Sequence, residues 1–221
     1  MPRDRFLQRK IAVLSKLDKS SIGKWDKKIK KLCDKINFLR DFYTTSSCSG
    51  RVILMIEQDK KGKDLFLKTW HDKINLSELK RVLNEISCSE QTSLSSSLNK
   101  KVKVLSSSNN VKCKVNKVII SPDNLIKFKV EPPIIHIVCR DLKDASVILE
   151  KAKYIGFKRS SILTCDKNII LELNSSDRIE FPIIKNGKIL VADEFLKLIV
   201  KISNEKLEKG WEKIKKLEKI V

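Results

Sequence analysis

Thr44-Thr45-Ser46-Ser47-Cys48-Ser49 is an unbroken run of hydroxyl and thiol side chains, with Tyr43 before it and Gly50-Arg51 behind it. Such side chains, with the N–H groups of a tight turn, are donors to an anion. Arg51 adds a planar charged fork that fits a carboxylate or a phosphate. The run stands between a helix-like and a strand-like segment, a junction where binding loops commonly sit. The plainer alternative is a polar turn capping a strand, with Cys48 buried as a small hydrophobe. Two histidines, His71 and His136, supply the groups that titrate near neutral pH. Either one beside Cys48 would make a thiol nucleophile, but nothing in the spacing supports such a pair.

The elements that must position these residues follow from apolar spacing. Asp4 to Leu17 reads as a helix with Leu7, Ile11 and Leu14 on one face, and Asp18 to Gly23 breaks it. A second helix runs from about Asp26 to Arg40 with Ile29, Leu32, Cys33 and Ile36 inward. Asp26 stands at its start, where a carboxylate favours the open N–H groups. After the hydroxyl-rich loop, Val52 to Gln58 is a strand, Lys60 to Lys63 a hairpin tip and Leu65 to His71 the return strand. A helix from about Leu76 to Ile86 closes the group.

The same order recurs. A helix from Lys143 to Tyr154 leads into Gly156 to Ser161. Strands follow at Ile162 to Thr164, Ile169 to Leu173 and Ile179 to Ile184, then a helix from about Asp193 to Ile202. The helix starts are 117 residues apart, the Ser-Ser pairs 114 and the closing helices 117. The reading is one domain over 1–221 with an internal duplication, 26–87 and 143–202, whose two polar loops face a shared cleft. The intervening 88–110, rich in Ser, Lys and Asn, reads as a flexible insertion. Pro133 to Arg140 has two apolar faces and is expected as a central, covered strand, with His136 and Arg140 two pleats apart on one of them. The final helix, from Asn204, carries Leu207, Trp211, Ile214, Leu217 and Val221 on a narrow stripe suited to packing on another helix, the first among them.

The net charge is +20, unevenly spread. Residues 1–40 hold 13 Lys/Arg against 4 Asp/Glu, and residues 88–130 hold 8 against 2. This asymmetry points to a polyanion, with nucleic acid favoured over mere solubility. Lys24, Lys27, Lys28, Lys31, Lys158 and Arg159 are the candidate phosphate contacts. No apolar run approaches the roughly 20 residues of a membrane span. Six scattered cysteines without a C-x-x-C pair argue against a zinc knuckle or a disulfide framework, so a reduced, cytoplasmic and metal-free protein is expected. There is no G-x-G and no G-x-x-x-x-G-K, which removes the usual dinucleotide and P-loop cradles. With aromatics at 6%, the base-stacking strand of common single-stranded RNA modules is missing.

Four stretches resemble the tRNA wybutosine-synthesizing methyltransferase family, the third enzyme of that pathway. They are Lys16-Leu17-Asp18-Lys19-Ser20 through Gly23 to Asp26; Phe42 to Arg51; Glu131-Pro132 through His136 to Cys139-Arg140; and Gly156-Phe157 with Ser160 and Ile162. The strand ending in His71 and the stretch Pro182 to Val191 agree as well. Residues 88 to 126 have no counterpart, and Lys158 and Ser161 stand where the family has Arg and Gly. The resemblance implies an α/β (α+β) fold, a mixed sheet or barrel-like core that is not a Rossmann methyltransferase, with amphipathic N- and C-terminal helices. It implies methyl transfer from S-adenosylmethionine to N4 of a 4-demethylwyosine-type base beside the anticodon of phenylalanine tRNA. On it, Ser46, Ser47, Cys48, Ser49, Gly50 and Arg51 would hold the cofactor, His136 and Arg140 would line the pocket, and Asp26 or His71 would take the proton. A non-catalytic RNA-binding or scaffold protein is the second reading, and a Cys-dependent RNA-modifying enzyme the third.

Overall fold

The computed structural model describes residues 4–16, 26–57, 66–94, 124–166 and 168–221, the side chains of 88–94 excepted. In chain order the elements are α1 (Arg5–Leu14), α2 (Lys27–Phe38), β1 (Phe42–Cys48), β2 (Arg51–Ile56), β3 (Phe66–Trp70), α3 (Leu76–Leu94), β4 (Leu125–Glu131), β5 (Ile134–Cys139), α4 (Leu142–Tyr154), β6 (Ser161–Thr164), β7 (Ile169–Asn174), β8 (Ile179–Lys185), β9 (Lys188–Ile189) and α5 (Asp193–Ile220). Two compact units result. Met1–Arg51, Glu131–Arg178 and Glu205–Val221 form one, Val52–Val130 and Ile179–Asn204 the other.

The first unit is built on a four-stranded sheet in the order β1-β5-β7-β6, every neighbouring pair antiparallel. β5 is interior, as its doubly apolar sequence demands. One face of this sheet carries Ile135, Ile137, Cys139, Leu171 and Leu173. It meets α2 through Ile29, Leu32, Cys33 and Ile36, α4 through Ala145, Ile148 and Ala152, and α5 through Ile214 and Leu217. The i, i+3, i+4, i+7 spacing on α2 puts its four apolar side chains on one stripe, all fully buried. Each Leu or Ile so buried contributes about 1.5–3 kcal/mol of transfer free energy. Asp26 caps α2, its carboxylate accepting from the Lys28 N–H at 3.1 Å.

The second unit holds the sheet β3-β2-β4-β8-β9. β2 and β3 are an antiparallel pair, as are β4 and β8. Its core includes Val52, Leu54, Ile56, Leu79, Leu83, Ile126, Phe128 and Ile183. Phe181 stacks on Phe128 at 5.3 Å and meets the ring of Phe195 edge-on at 5.2 Å. Trp70 is buried at the end of β3 and donates its indole N–H to Glu78 at 2.9 Å. Antiparallel pairing with helices, and no parallel doubly wound sheet among the described residues of the first unit, is the expected non-Rossmann α/β class.

Several local expectations need correction. The hydroxyl run is not a loop: Phe42 to Cys48 is strand β1, and only Ser49-Gly50 joins it to β2. Its side chains therefore alternate between faces. α5 is continuous across Ser203-Asn204, where the sequence suggests a break. The Asn204 amide bonds the Ile74 N–H and C=O, at 2.9 and 2.8 Å, and so does not turn its own backbone. α1 packs on β1, with Phe6 against Tyr43 at 5.4 Å and Lys10 buried, while Leu7, Ile11 and Leu14 stay exposed. α3 runs on to Leu94, into the serine-rich stretch. The turn 18–23, the hairpin tip 60–63, Lys24 and residues 95–110 lie outside the described residues.

Candidate functional site

The register of the first unit's sheet decides which side chains share a face, because directly opposed residues in antiparallel strands point the same way. Phe42 opposes Cys139, Ser47 opposes Ile135, and Ile137 opposes Leu171; these belong to the core face. The other face carries Tyr43 and Val138 at one end and Cys48, Ile134 and Asn174 in a row at the other. His136 opposes Glu172 between them. α1 covers the Tyr43 end. There Arg140 pairs with Asp4 at 2.9 Å and with Asp41, and lies 4.7 Å over the Phe6 ring. The Arg140 guanidinium holds the Asp4 carboxyl below its usual range, and Asp4 caps α1. Arg140 thus anchors the N-terminal helix.

His136 Nε2 lies 2.9 Å from Glu172 Oε2, with both side chains 22% exposed. Asn174 Nδ2 donates to the second oxygen of Glu172 at 3.4 Å, and its own Oδ1 is buried with no partner among the described residues. On the far side of His136, β1 carries a bulge. Thr44 opposes Ile137 and Ser47 opposes Ile135, so the exposed Thr45 and Ser46 together face His136.

The turn after β1 is closely held. Ser49 N–H donates to Asp26 Oδ2 at 3.0 Å, so Asp26 binds two main-chain N–H groups, one with each oxygen. Gly50 has φ +100°, a left-handed conformation, and a Cβ there would meet Glu131 O at 3.0 Å. Arg51 Nε donates to Glu131 Oε2 at 2.7 Å. The Ser49 hydroxyl is buried without a hydrogen-bond partner among the described residues, whereas the Ser47 side chain reaches the buried Cys33 thiol. Burial raises the Cys48 thiol above its ordinary value, which disfavours a thiolate nucleophile. Burial also pushes Cys33 up to about 11 and Cys139 up to about 12.

Of the residues singled out by type and spacing, Asp26, Ser49, Gly50 and Arg51 converge on one turn. Ser46 and Cys48 point away from Ser47, and His136 sits on the Cys48 face. His71 follows β3 in the other unit and is half-buried. Lys27 and Lys31 are exposed one turn apart on α2, Lys28 lies 4.3 Å over the Trp211 ring, and Lys158 and Arg159 are exposed before β6. Glu172 and Asn174 escape a reading by sequence, and Glu131 is read only as part of a family-like stretch, without its pairing to Arg51. The alternation Leu171-Glu172-Leu173-Asn174 signals a strand with a polar face, but only the register reveals the partners.

The antiparallel strand pairs and the hydroxyl-bearing turn define a non-Rossmann α/β protein. Residues 8–221 match the family model described as Methyltransferase TYW3, and the chain belongs to that family. A relative from Archaeoglobus fulgidus named tRNA(Phe) 7-((3-amino-3-carboxypropyl)-4-demethylwyosine(37)-N(4))-methyltransferase is 33% identical over 205 residues, covering 91% of this chain and 85% of its own. A protein of the same name from Methanocaldococcus jannaschii is 32% identical, covering 86% and 82%. The solved structure of the PH1069 protein from Pyrococcus horikoshii superposes with a TM-score of 0.73 at 28% identity, covering 97% of this chain and 92% of that one.

Proposed function

We propose that this chain transfers a methyl group from S-adenosylmethionine to N4 of a 4-demethylwyosine-type base next to the anticodon of phenylalanine tRNA. Its supports are membership of the methyltransferase family and the activity named for its relatives. The observation that carries the site assignment is the Ser49-Gly50 turn, a bend with a buried hydroxyl lacking a partner among the described residues and an Arg beside it.

S-adenosylmethionine, when bound, supplies an electrophilic methyl on a sulfonium centre. Its amino-acid end needs N–H and O–H donors for a carboxylate, and it has no phosphate, so the missing glycine-rich cradle fits. Ser49 and the main chain at Gly50 serve that carboxylate. Arg51, steadied by Glu131, adds positive charge. Asp26 shapes the turn through Ser49 N–H and is occupied by it, which leaves the histidines as the groups for proton removal. Lys27, Lys28, Lys31, Lys158 and Arg159 meet the tRNA backbone. Because the step is a displacement along one line, holding both reactants in register supplies much of the acceleration.

The test is incubation of the purified chain with labelled S-adenosylmethionine and phenylalanine tRNA carrying the unmethylated base. Label recovered in the nucleoside, with a mass gain of one methyl group, is expected. Bound tRNA that stays unlabelled would turn the reading to a scaffold protein.

A further inference from the structure

The last stretch of α5 carries Leu207, Gly210, Ile214 and Leu217 on its buried side. Three of these are large and apolar, and the other is a glycine inside a 28-residue helix. Glycine is a poor choice there, since alanine would favour the helical state roughly fivefold. Nor does the backbone require it: among the described residues the left-handed glycines are Gly50, Gly156 and Gly187. What requires it is Pro133, in the Pro132-Pro133 link before β5. A Cβ on Gly210 would lie 2.8 Å from Pro133 Cδ and 2.9 Å from its Cγ, well inside carbon–carbon contact. The proline ring is buried and locked to its own backbone, so it cannot swing away as a flexible side chain would. A side chain at this point forces helix and link apart by about half an ångström.

The same link backs the turn after β1. A Cβ on Gly50 would meet Glu131 O at 3.0 Å, Pro133 N at 3.4 Å and Leu207 Cδ2 at 3.5 Å. Two glycines thus abut one short segment, one on its main chain and one on its proline ring. Leu207, one turn before Gly210, touches the Ser49-Gly50 bend directly. One residue after Gly210, the Trp211 ring lies 4.3 Å from the Lys28 ammonium. The Lys28 N–H is held by Asp26, whose other oxygen takes the Ser49 N–H. Within little more than one turn, α5 therefore reaches the bend through Leu207, through Pro133 and through Lys28. A displacement of the helix at Gly210 is passed to the bend by all three.

We propose that Gly210 is a positioning residue for the cofactor bend. It lets α5 close on Pro133 and so sets the depth of Ser49 and the Gly50 main chain against the amino-acid end of S-adenosylmethionine. The inference rests on the methyl-transfer reading above. Binding groups need placement within about 0.5 Å of their working geometry, the size of the shift that one added methyl imposes here. No bond is made or broken at Gly210. Its effect falls on affinity for the cofactor and leaves the tRNA surface alone.

Gly210→Ala should weaken S-adenosylmethionine binding about tenfold in calorimetry, with tRNA affinity unchanged. It should also move the amide resonances of Ser49, Gly50 and Arg51 in the cofactor-free protein. Pro133→Ala, which removes the ring atoms, should weaken cofactor binding about threefold by loosening the same contact. The double variant should return to within about twofold of wild type, because the added methyl fills the space the ring leaves. A purely packing role predicts a lower unfolding temperature in Gly210→Ala, with cofactor affinity and the three amides unmoved. That result, or a double variant no better than the worse single one, would overturn the proposal. Should Gly210→Ala not fold alone, Pro133→Ala against the double variant decides: the added methyl must tighten cofactor binding, and a further loss refutes the idea. Wild-type chain that binds no S-adenosylmethionine would instead defeat the functional reading, while the amide shifts still report whether Gly210 sets the bend.

Discussion

Two serine-bearing turns lie at the same end of the first unit's sheet, after β1 and before β6, separated by the strands β5 and β7. Their sequences look alike, each with a left-handed Gly and a buried Ser. Their hydroxyls are bonded differently. Ser160 Oγ donates to Phe157 O at 2.7 Å and accepts from Asn174 N–H at 3.1 Å, closing α4 onto β7. Ser49 Oγ is equally buried and has no partner among the described residues. Gly50 is backed by main chain, Glu131 O at 3.0 Å, while Gly156 is backed by the flexible end of Lys213. One turn has its serine hydroxyl bonded within the chain and the other does not among the described residues, and the proposed cofactor site rests on that difference.

The glycines should separate the two turns most strongly. Gly50→Ala should destabilise by about 1–3 kcal/mol from left-handed strain, with the 3.0 Å backbone approach placing it at the upper end, and should weaken S-adenosylmethionine binding. Gly156→Ala carries similar strain, but Lys213 can move aside, so thermal unfolding should show a smaller loss and titration calorimetry an unchanged affinity. Next come the serines. Ser160→Ala should cost about 1–2 kcal/mol in denaturant unfolding and leave cofactor affinity alone. Ser49→Ala should do the reverse, with stability unchanged or higher and affinity down about tenfold.

The basic surface gives a subtler effect. Replacing exposed Lys27 and Lys31 by Gln should reduce the slope of log affinity for tRNA against log salt by about 0.7–0.9 for each phosphate left without its lysine. Cys165, exposed just after β6, should react with a thiol reagent well before Cys33 and Cys139. Burial raises those two thiols to about 11 and 12, so they stay protonated at neutral pH and label only on unfolding. The smallest effect comes with acid. Arg140 holds Asp4 below the ordinary carboxylate range, so its contribution to docking α1 is fully present above that range and fades as pH falls through the lower folded value. Circular dichroism and Phe6–Tyr43 contacts followed against pH would check this, and release of α1 near neutral pH would contradict it.

The sequence makes α2, the doubly apolar β5 and the capping Asp26 legible, because each depends on local spacing or a local hydrogen bond. The hydroxyl run passes for a loop because its β-propensity is modest. What makes it a strand is pairing with β5 some 90 residues away, a long-range cause invisible in a window. The same limit hides Glu172, which has no motif of its own and meets His136 only because the fold brings the two strands together. Asn204 shows the converse: its side chain has local turn potential, but the Ile74 backbone takes it and the helix continues.

Amide NMR titration of the chain with S-adenosylmethionine would locate the cofactor turn without relying on turnover. The largest shifts are expected at Ser46 to Arg51 and Asp26, with Gly156 to Ser161 nearly silent. Shifts centred on the Ser160 turn, or spread without either turn, would contradict the assignment.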